Sequence, residues 1–374
     1  MKIINVCGAR PNFMKIAPIM EAMKQSSVIK PFLVHTGQHY DEKMSKSFFD
    51  ALGIPKPDMD LEVGSGSHAV QTAKIMVEFE KVVQAIKPDL VLVVGDVNST
   101  MACAIVAKKL WIPVAHVEAG LRSRDLAMPE EINRLVTDSI TDYFFITDPD
   151  AKANLQQEGV PLKRIFFAGN VMIDTLLKNL PKADKQNILS RLALEPGEYA
   201  AMTLHRPSNV DDKKVLSGLV GAFETIQKRI KIVFPVHPRT RKQFDEFGLS
   251  DKIKGMTNFI LTDPLNYHEM LKLNKEAKFV LTDSGGIQEE TTVLGIPCIT
   301  MRNNTERPIT VTQGTNEVVG NNPGKIVKAC EKILSGKWKR GRVPAKWDGK
   351  AGVRIVAELE KIWKKRNQDA SPLA

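Results

Sequence analysis

Short β-rich runs alternate with longer helical patterns along the whole chain, and this alternation limits the fold more than any other feature of the sequence. Strands that are separated by a helix usually lie parallel in one sheet, because the helix returns the chain to the edge where the previous strand began. The pattern stops near Gly169 and begins again at Tyr199. The sequence therefore predicts two α/β units with parallel sheets.

The periodicity places the elements of the two halves separately. In the first half it predicts strands at Ile3–Val6, Phe32–Val34, Leu90–Val94, Val114–Val117, Tyr143–Ile146 and Ile165–Gly169, and helices at Met14–Lys24, Ala69–Ile86, Thr100–Leu110 and Glu130–Ile140. In the second half it predicts strands at Tyr199–Leu204, Ile232–Val236, Phe259–Leu261, Phe279–Leu281 and Cys298–Thr300, and helices at Val215–Lys228, His237–Phe247, His268–Leu273, Ile287–Leu294 and Ile326–Leu334. Lysines and a proline between Leu180 and Asn187 are typical of a joint between domains.

The length of 374 residues exceeds what one hydrophobic core usually supports. We expect an N-terminal domain over residues 1–180, a C-terminal domain over residues 181–350 and a last segment over residues 351–374. That segment repeats apolar residues at helical spacing, so it predicts an amphipathic helix that packs on another element. Two α/β domains that face each other leave a cleft at the carboxyl ends of their strands, where ligands usually bind.

Composition excludes several classes of protein. The formal charge of +10 is scattered along the chain, and the densest basic stretch, Lys337–Arg342, contains few aromatic residues, which disfavours nucleic acid as a partner and suits a smaller anion. The four cysteines, Cys7, Cys103, Cys298 and Cys330, have no metal-ligand or redox spacing. The N-terminus enters a strand directly, and no apolar run is long enough to span a membrane. We therefore expect a reduced, cytoplasmic protein without a bound metal.

The stretch Leu281–Glu290 predicts a site for an anion. An apolar strand ends at Asp283, and a helix is expected to begin at Ile287 after a serine and two glycines. Ser284 could supply a capping oxygen, and Gly285 and Gly286 would let a ligand approach the backbone. A helix start carries unsatisfied N–H groups and a positive dipole end, which favour phosphate. Taken alone, an ordinary strand-to-helix turn explains the stretch equally well.

Charged residues also follow the first and third long strands of the first half. Arg10 and Lys15 come at and after the first strand–helix loop, where cations suit phosphate. Asp96 follows the strand at Leu90–Val94, where it could cap the next helix or act as a carboxylate in the cleft. The first loop lacks the glycine spacing of a dinucleotide site, so we reject a nicotinamide cofactor.

Two further acids occur in the same half. Strand alternation predicts that His116 and Glu118 share one face, opposite Val117. A glutamate at a buried strand end is unusual without a function. Glu130 opens a helix behind a proline, a composition that helix capping explains by itself.

The second half adds imidazoles and guanidinium groups at strand ends. His205 and Arg206 follow one strand, and His237 follows the next. Arg307 could bind phosphate or form an ion pair at the surface. Several carboxylates, an imidazole and arginines around one cleft favour general acid–base chemistry on an anionic substrate.

Together these motifs resemble the non-hydrolysing UDP-N-acetylglucosamine 2-epimerases, in the same order and over essentially the whole chain. The motifs are Gly8-Ala-Arg-Pro, Thr36-Gly-Gln-His, Gly95-Asp, His116-Val-Glu-Ala-Gly-Leu-Arg, Pro129-Glu-Glu-Ile-Asn-Arg, Leu204-His-Arg-Pro-Ser-Asn, Leu281-Thr-Asp-Ser-Gly-Gly-Ile-Gln-Glu-Glu and Thr305-Glu-Arg-Pro. The resemblance implies two Rossmann-like domains of glycosyltransferase-B type, with the last helix packed on the first domain. It also implies a homodimer that interconverts UDP-GlcNAc and UDP-ManNAc without a metal or other cofactor, to supply surface polysaccharide synthesis.

The resemblance also assigns residues. It implies a route by anti elimination of UDP to 2-acetamidoglucal and re-addition, with Asp96, Glu118, Glu130 and His205 as the catalytic group. Which of the acids removes the proton stays open. It implies substrate binding by Arg10, Lys15, His237, Met270, Ser284, Gly285, Gly286, Glu290 and Arg307. Glu290 would bind the ribose, and Met270 replaces a residue that is often aromatic near the uracil.

A regulatory site in bacterial relatives binds a second UDP-GlcNAc. Gln38, His39 and Met44 match that pattern, but Lys74 stands where an arginine is expected, and lysine lacks the bidentate fork. The alternatives for function are C2 epimerisation of a modified sugar such as a UDP-2,3-diacetamido-uronic acid, a hydrolysing relative, a glycosyltransferase, and a nucleotide-sugar-binding module without catalysis.

Overall fold

The computed structural model describes residues 1–37, 53–54 and 56–370 of the chain. It divides into two compact units, Met1–Lys178 with Ala345–Ala374, and Asn179–Pro344. Each unit has its own parallel sheet, so the predicted α/β class with two parallel sheets is confirmed. No helix in the described ranges combines the length and the apolar character needed to cross a membrane.

The first unit alternates strands and helices along a parallel sheet. Its strands are β1 (Lys2–Cys7), β2 (Lys30–His35), β3 (Met59–Asp60), β4 (Leu90–Val94), β5 (Val114–Val117), β6 (Tyr143–Ile146) and β7 (Ile165–Phe167). Its helices before the unit boundary are α1 (Arg10–Lys24), α2 (His68–Ile86), α3 (Asn98–Lys109), α4 (Pro129–Ile140), α5 (Pro149–Gln157) and α6 (Val171–Asp184), the last of which continues past the boundary. The strand order is β3-β2-β1-β4-β5-β6-β7.

That order reverses direction between β1 and β4. Chain order runs outward from β1 to β3 on one side and from β4 to β7 on the other. Loops that leave β1 and β4 therefore diverge to opposite sides and open a crevice at the carboxyl ends of the strands. Every residue of β4 is buried, and its Val91 and Val93 pack with Phe79 of α2 in one apolar cluster. The crevice therefore lies at the end of a strand that is buried along its whole length.

The second unit repeats this plan. Its strands are β8 (Tyr199–Met202), β9 (Lys231–Pro235), β10 (Phe259–Thr262), β11 (Phe279–Thr282), β12 (Cys298–Thr300) and β13 (Asn316–Val318). Its helices are α7 (Ile188–Arg191), α8 (Pro207–Val210), α9 (Lys213–Ile226), α10 (Pro238–Glu246), α11 (Ser250–Lys254), α12 (Tyr267–Lys275), α13 (Gly285–Leu294), α14 (Pro308–Thr312) and α15 (Pro323–Leu334). The order β10-β9-β8-β11-β12-β13 is again parallel and reverses between β8 and β11.

The last helix, α16 (Ala351–Ala370), belongs to the first unit. It packs against α1, and a Cβ at Gly352 would lie only 2.7 Å from the carbonyl oxygen of Pro18. The buried carboxylate of Asp174 accepts hydrogen bonds from the first two backbone N–H groups of α16, Ala351 at 3.0 Å and Gly352 at 2.7 Å. The helix start is thereby capped by a side chain that lies 177 residues earlier in the sequence.

Three differences from the predicted helices have local causes, and the shorter helices α5, α7, α8, α11 and α14 were also not predicted. α1 begins at Arg10 rather than Met14, because Asn12 Oδ1 accepts from the backbone N–H groups of Gly8 and Ala9 and closes the first turn. α6 was not predicted, since its Pro181 and lysines indicated a loop; the proline lies in the last turn, where it removes one intrahelical hydrogen bond, and the helix ends three residues later. α13 begins at Gly285 rather than Ile287, because both glycines adopt helical geometry.

Candidate functional site

A buried ion pair stands at the carboxyl end of the first sheet. Lys15 on α1 donates to Glu118, which follows β5, and their side chains are only 5% and 1% exposed. Gly95, at the end of β4, has φ +67°, and a Cβ there would lie 2.6 Å from Lys15 Nζ. Glycine at this position therefore makes room for the ammonium group. The pair lies against the backbone that leads directly into Asp96.

Arg134 of α4 holds Asp96. Its Nη1 lies 2.5 Å from Asp96 Oδ2, and its Nη2 lies 2.7 Å from Glu131 Oε2. Asp96 remains 21% exposed, whereas Arg134 is 1% exposed. The suggestion that Asp96 caps the next helix is wrong, because Val97 is the N-cap residue of α3. One buried guanidinium thus orients an accessible carboxylate at the reversal of strand order.

Glu131 connects Arg134 to the loop that precedes α4. Its carboxylate accepts hydrogen bonds from the backbone N–H groups of Ser123 at 2.9 Å and Arg124 at 2.8 Å. Burial raises the pKa of Glu131, but these donors and Arg134 outweigh it and leave the pKa below its usual range. Glu130, the candidate from the sequence, is the half-buried residue just before it in the first turn of α4.

The prediction that His116 and Glu118 share a strand face is wrong. β5 ends at Val117, and Glu118 has φ +70°, so the two-residue alternation does not extend to it. His116 Nδ1 instead lies 2.7 Å from Asp138 Oδ1 on α4. Glu118 turns away toward Lys15, at a backbone conformation that costs free energy for a residue with a Cβ and is often found at functional positions.

In the second unit, Asp283 anchors His205. The loop after β8 places His205 Nδ1 3.2 Å from Asp283 Oδ1, at the end of β11. Asp283 Oδ2 accepts from the backbone N–H groups of His205 at 2.9 Å and Arg206 at 2.8 Å. The carboxylate is fully buried, and the imidazole is 39% exposed. His237, whose ring centroid is 6.0 Å from that of His205, caps α10.

The predicted serine cap is missing at the start of α13. Ser284 is the N-cap residue, but its side chain makes no capping hydrogen bond, so that part of the prediction is wrong. Thr282 Oγ1 accepts from the Ser284 N–H at 2.9 Å and fixes the turn. A Cβ at Gly285 would lie 2.6 Å from Arg307 Nη1. The glycine therefore lets a guanidinium pack directly beneath the first turn of the helix, ahead of Gly286.

Arg307 is not part of a surface ion pair, so that alternative is wrong. Its side chain is 7% exposed, its Nε lies 2.7 Å from Glu289 Oε1, and it also contacts Glu306. Arg302 binds the other oxygen of Glu306 at 2.9 Å. Two arginines and two glutamates thus form a buried charged cluster under the start of α13.

Glu290 lies beside this cluster on α13. Tyr267 donates its hydroxyl to Glu290 Oε1 at 3.5 Å. Burial, together with the charge of Glu289, raises the pKa of Glu290 to about 7, although the hydrogen bond from Tyr267 acts to lower it. Met270 is half-buried on α12 and packs with the apolar cluster that includes Leu273. A carboxyl group that titrates near neutral pH is therefore present next to a possible anion site.

Several predicted residues lie elsewhere or outside the described part of the chain. Gln38, His39 and Met44 fall outside the described residues, as does the side chain of Arg10, which begins α1. Lys74 is exposed on α2. Among the residues that the structure describes, no group of three or more histidine, cysteine, aspartate and glutamate side chains is arranged to hold a metal ion.

Sequence reasoning assigned no role to Arg134, Glu131 or Asp283, although all three occur in the motifs. Each is buried and polar: Arg134 holds Asp96, Asp283 holds His205, and Glu131 holds Arg134. The available signal was position: Arg134 stands one helical turn after Glu130 and Glu131, where its side chain can reach the same acids. Asp283 directly follows a predicted buried strand, as most of the selected residues do.

The chain is similar to known proteins over nearly its whole length. A family model described as UDP-N-acetylglucosamine 2-epimerase matches residues 21–360. The UDP-N-acetylglucosamine 2-epimerase of Methanocaldococcus jannaschii is 46% identical over 366 residues, which cover 96% of this chain and 99% of the relative. The UDP-2,3-diacetamido-2,3-dideoxy-D-glucuronate 2-epimerase of Pseudomonas aeruginosa is 40% identical over 365 residues, which cover 97% and 100%.

A solved structure agrees in fold. The crystal structure of the Methanocaldococcus jannaschii UDP-GlcNAc 2-epimerase in complex with UDP-GlcNAc and UDP has a TM-score of 0.89 at 44% identity, and the match covers 96% of this chain and 100% of that one. The predicted fold class, two Rossmann-like parallel-sheet domains of glycosyltransferase-B type, is thereby confirmed.

Proposed function

Because the chain belongs to the UDP-N-acetylglucosamine 2-epimerase family, we propose that it interconverts UDP-GlcNAc and UDP-ManNAc by inverting C2 of the sugar. The observation that carries the proposal is the position of the charged side chains. In each unit they follow the two strands between which the strand order reverses: Lys15 and Asp96 after β1 and β4, and His205 and Asp283 after β8 and β11. Open α/β sheets bind their ligands at this point.

The C2 proton of the substrate is not acidic, so its removal must accompany loss of UDP. The C2–H bond and the anomeric C1–O bond break together, which gives 2-acetamidoglucal and UDP. UDP then adds back at C1 while a proton is delivered to the opposite face of C2. An enzyme for this route needs a base and an acid near C2 and positive groups that stabilise the diphosphate.

The first unit would supply the acids. In the proposal Glu118, Asp96 and Glu130 carry the proton transfers, and their surroundings support this use. Lys15 fixes the buried Glu118, and Arg134 orients Asp96 while leaving it accessible. Such fixed carboxylates do not need to reorganise when charge develops, which is how preorganised groups lower a barrier.

The second unit would hold the leaving group. In the proposal Ser284 and the N–H groups of Gly285 and Gly286, at the positive end of the α13 dipole, bind the diphosphate, and Arg307, packed beneath Gly285, supports them. His205, oriented by Asp283, would complete the catalytic group. In this assignment Glu290 binds the ribose, and His237, Met270, Arg10 and Lys15 complete the substrate contacts.

Glu290 should make nucleotide affinity depend on pH. Because its pKa is raised to about 7, the carboxylate that would accept the ribose hydroxyls is largely protonated at pH 6 and ionised at pH 8. We expect uridine, which carries no titrating phosphate, to bind about 10-fold more tightly at pH 8 than at pH 6. Calorimetric titration measures this, and Glu290→Gln should bind more weakly at pH 8 with a flat profile. A flat profile in the unaltered protein would contradict the assignment.

Incubation with UDP-GlcNAc in deuterated water tests the function. Proton NMR should show UDP-ManNAc with deuterium at C2, since the proton that the enzyme removes from C2 exchanges with solvent before a proton is returned. A protein with Asp96, Glu118 and Glu130 replaced by their amides serves as the control and should give neither product nor label. Free ManNAc and UDP would indicate a hydrolysing enzyme, and absence of epimer and label would reject UDP-GlcNAc as substrate.

A second candidate substrate is favoured by one observation, the 40% identity to the Pseudomonas aeruginosa enzyme over 97% of this chain. The same NMR assay with UDP-2,3-diacetamido-2,3-dideoxy-D-glucuronate separates the two. The carboxylate at C6 and the nitrogen at C3 distinguish that sugar, so preference for it by kcat/KM would reassign the substrate without changing the reaction. The homodimer, the cytoplasmic location and the supply of polysaccharide precursor stay predictions.

A further inference from the structure

His116 makes two buried hydrogen bonds that the proposed chemistry does not use directly. Its ring is fully buried at the end of β5, with Nδ1 2.7 Å from Asp138 Oδ1 and Nε2 2.8 Å from the carbonyl oxygen of Gly95. The imidazole therefore bridges three elements, β5, α4 and the end of β4. A buried histidine with a hydrogen-bond partner on each ring nitrogen is held in a single orientation.

Both partners of His116 are hydrogen-bond acceptors. A backbone carbonyl cannot donate, and Asp138 is held as a carboxylate by Arg122, whose Nη1 lies 2.7 Å from Asp138 Oδ2, and by the Gly120 N–H at 3.0 Å. Burial raises the pKa of Asp138, but His116 and Arg122 outweigh it and leave the pKa below its usual range. Each ring nitrogen of His116 must then donate, so the ring is an imidazolium.

The second acceptor explains what this imidazolium does. Gly95 is held on both sides by β5: its N–H donates to the Val117 carbonyl at 3.0 Å, and its carbonyl accepts from His116. Asp96 follows Gly95 directly, Glu118 follows Val117 directly, and Lys15 Nζ lies 2.6 Å from the position that a Gly95 Cβ would take. The orientation of the two peptide planes that flank Gly95 thus sets the spacing of Asp96, Glu118 and Lys15.

We propose that His116 is a positioning residue for the epimerase reaction, a bridge that donates from its two ring nitrogens to Asp138 and to the Gly95 carbonyl and so places Asp96 relative to Glu118. The inference rests on the proposed function. His116 touches neither substrate nor the transferred proton in this role. Its removal should therefore lower kcat and leave KM nearly unchanged, because displacement of a catalytic group by a fraction of an ångström slows chemistry without removing binding contacts.

Two amide variants separate the two ends of the bridge. In His116→Gln the amide nitrogen stands near the former Nε2 and can still donate to the Gly95 carbonyl, whereas in His116→Asn it stands near Nδ1 and can donate only to Asp138. We expect kcat to fall by about 10- to 100-fold in His116→Asn and by less than about 10-fold in His116→Gln, with KM within about threefold in both. The reverse order, or equal kcat in both variants and the unaltered protein, would overturn the proposal.

The control is Asp174→Asn, which alters another buried polar side chain of the same unit, the one on α6 that caps α16. If loss of activity merely follows loss of stability, Asp174→Asn should fall on the same line of kcat against Tm as the His116 variants. The proposal predicts that it keeps kcat at any Tm that still leaves it folded at the assay temperature.

A second measurement needs no activity. In protein labelled with 15N-histidine, both ring nitrogens of His116 should give the shifts of protonated nitrogens at the pH of the activity assay, with His116→Gln as the assigning variant. A neutral ring would overturn the proposal even if the epimerase activity is present. Conversely, an imidazolium in a protein that makes no UDP-ManNAc would keep the bridge and reject the proposed function, so the two failures are distinguishable.

Discussion

We expect Glu118→Gln to lower kcat for the proposed epimerisation by about 10²- to 10⁴-fold, the usual contribution of one general acid or base. The amide occupies nearly the same volume and can remain next to Lys15, but it neither accepts nor returns a proton. KM for UDP-GlcNAc and the affinity for UDP should change little, because the variant leaves Lys15 in place and most of the other groups proposed to hold UDP lie in the second unit. Initial rates by NMR and calorimetric titration with UDP measure the two quantities.

A surface carboxylate of the same unit provides the control. Glu78 is 41% exposed on α2 and pairs with Lys81 one helical turn away, so Glu78→Gln should leave kcat and KM unchanged. Solvent exchange adds a stricter criterion. If Glu118→Gln still incorporates deuterium at C2 at the unaltered rate, Glu118 has no part in proton transfer, and its buried pair with Lys15 is structural.

Arg307→Met destabilises the protein by about 3–5 kcal/mol, the usual cost of removing one partner from a buried ion pair. The variant leaves Glu289, which is 1% exposed, without its guanidinium, while Glu306 keeps Arg302. Methionine fills most of the volume, so the loss reports charge rather than a cavity. Urea unfolding followed by circular dichroism measures the difference as a shift in the midpoint at constant slope.

Two comparisons test whether the loss of stability in Arg307→Met comes from leaving a buried charge without its partner or merely from losing an ion pair. The double variant Arg307→Met with Glu289→Gln should recover part of the loss, because the amide no longer carries an uncompensated charge. Arg239 pairs with Asp211 at the surface, with 47% and 38% exposure, so Arg239→Met should cost no more than about 1 kcal/mol. Equal losses at Arg307 and Arg239 would show that the buried cluster under α13 contributes nothing beyond an exposed pair.

Local pattern was enough to predict most elements of both sheets. The strands at Leu90–Val94, Val114–Val117, Tyr143–Ile146 and Cys298–Thr300 have the predicted bounds. Such runs are buried on both faces in a parallel sheet and are therefore apolar throughout. The pattern failed where a single residue type misled it, as at Pro181 in α6 and at the paired glycines of α13.

The sequence by itself determined the family, the parallel α/β class and which polar residues follow strands, because each of these depends on residues that are near one another in the chain. It could not determine which partner each of them would have. Lys15 meets Glu118 across 103 residues and His205 meets Asp283 across 78. Those pairs exist because the first sheet places β1, β4 and β5 side by side and the second places β8 beside β11, and strand order is a property of the folded sheet.

The same reason explains the corrections at individual residues. Alternation predicted one face for His116 and Glu118, but the strand ends between them and the tertiary structure sends one to Asp138 and the other to Lys15. Helix capping was one of two interpretations of Asp96 and was expected of Ser284, but Asp96 pairs with Arg134, and the Ser284 side chain makes no capping hydrogen bond. Sequence specified which charged groups gather at the strand ends, and packing decided which of them are neutralised and which stay accessible.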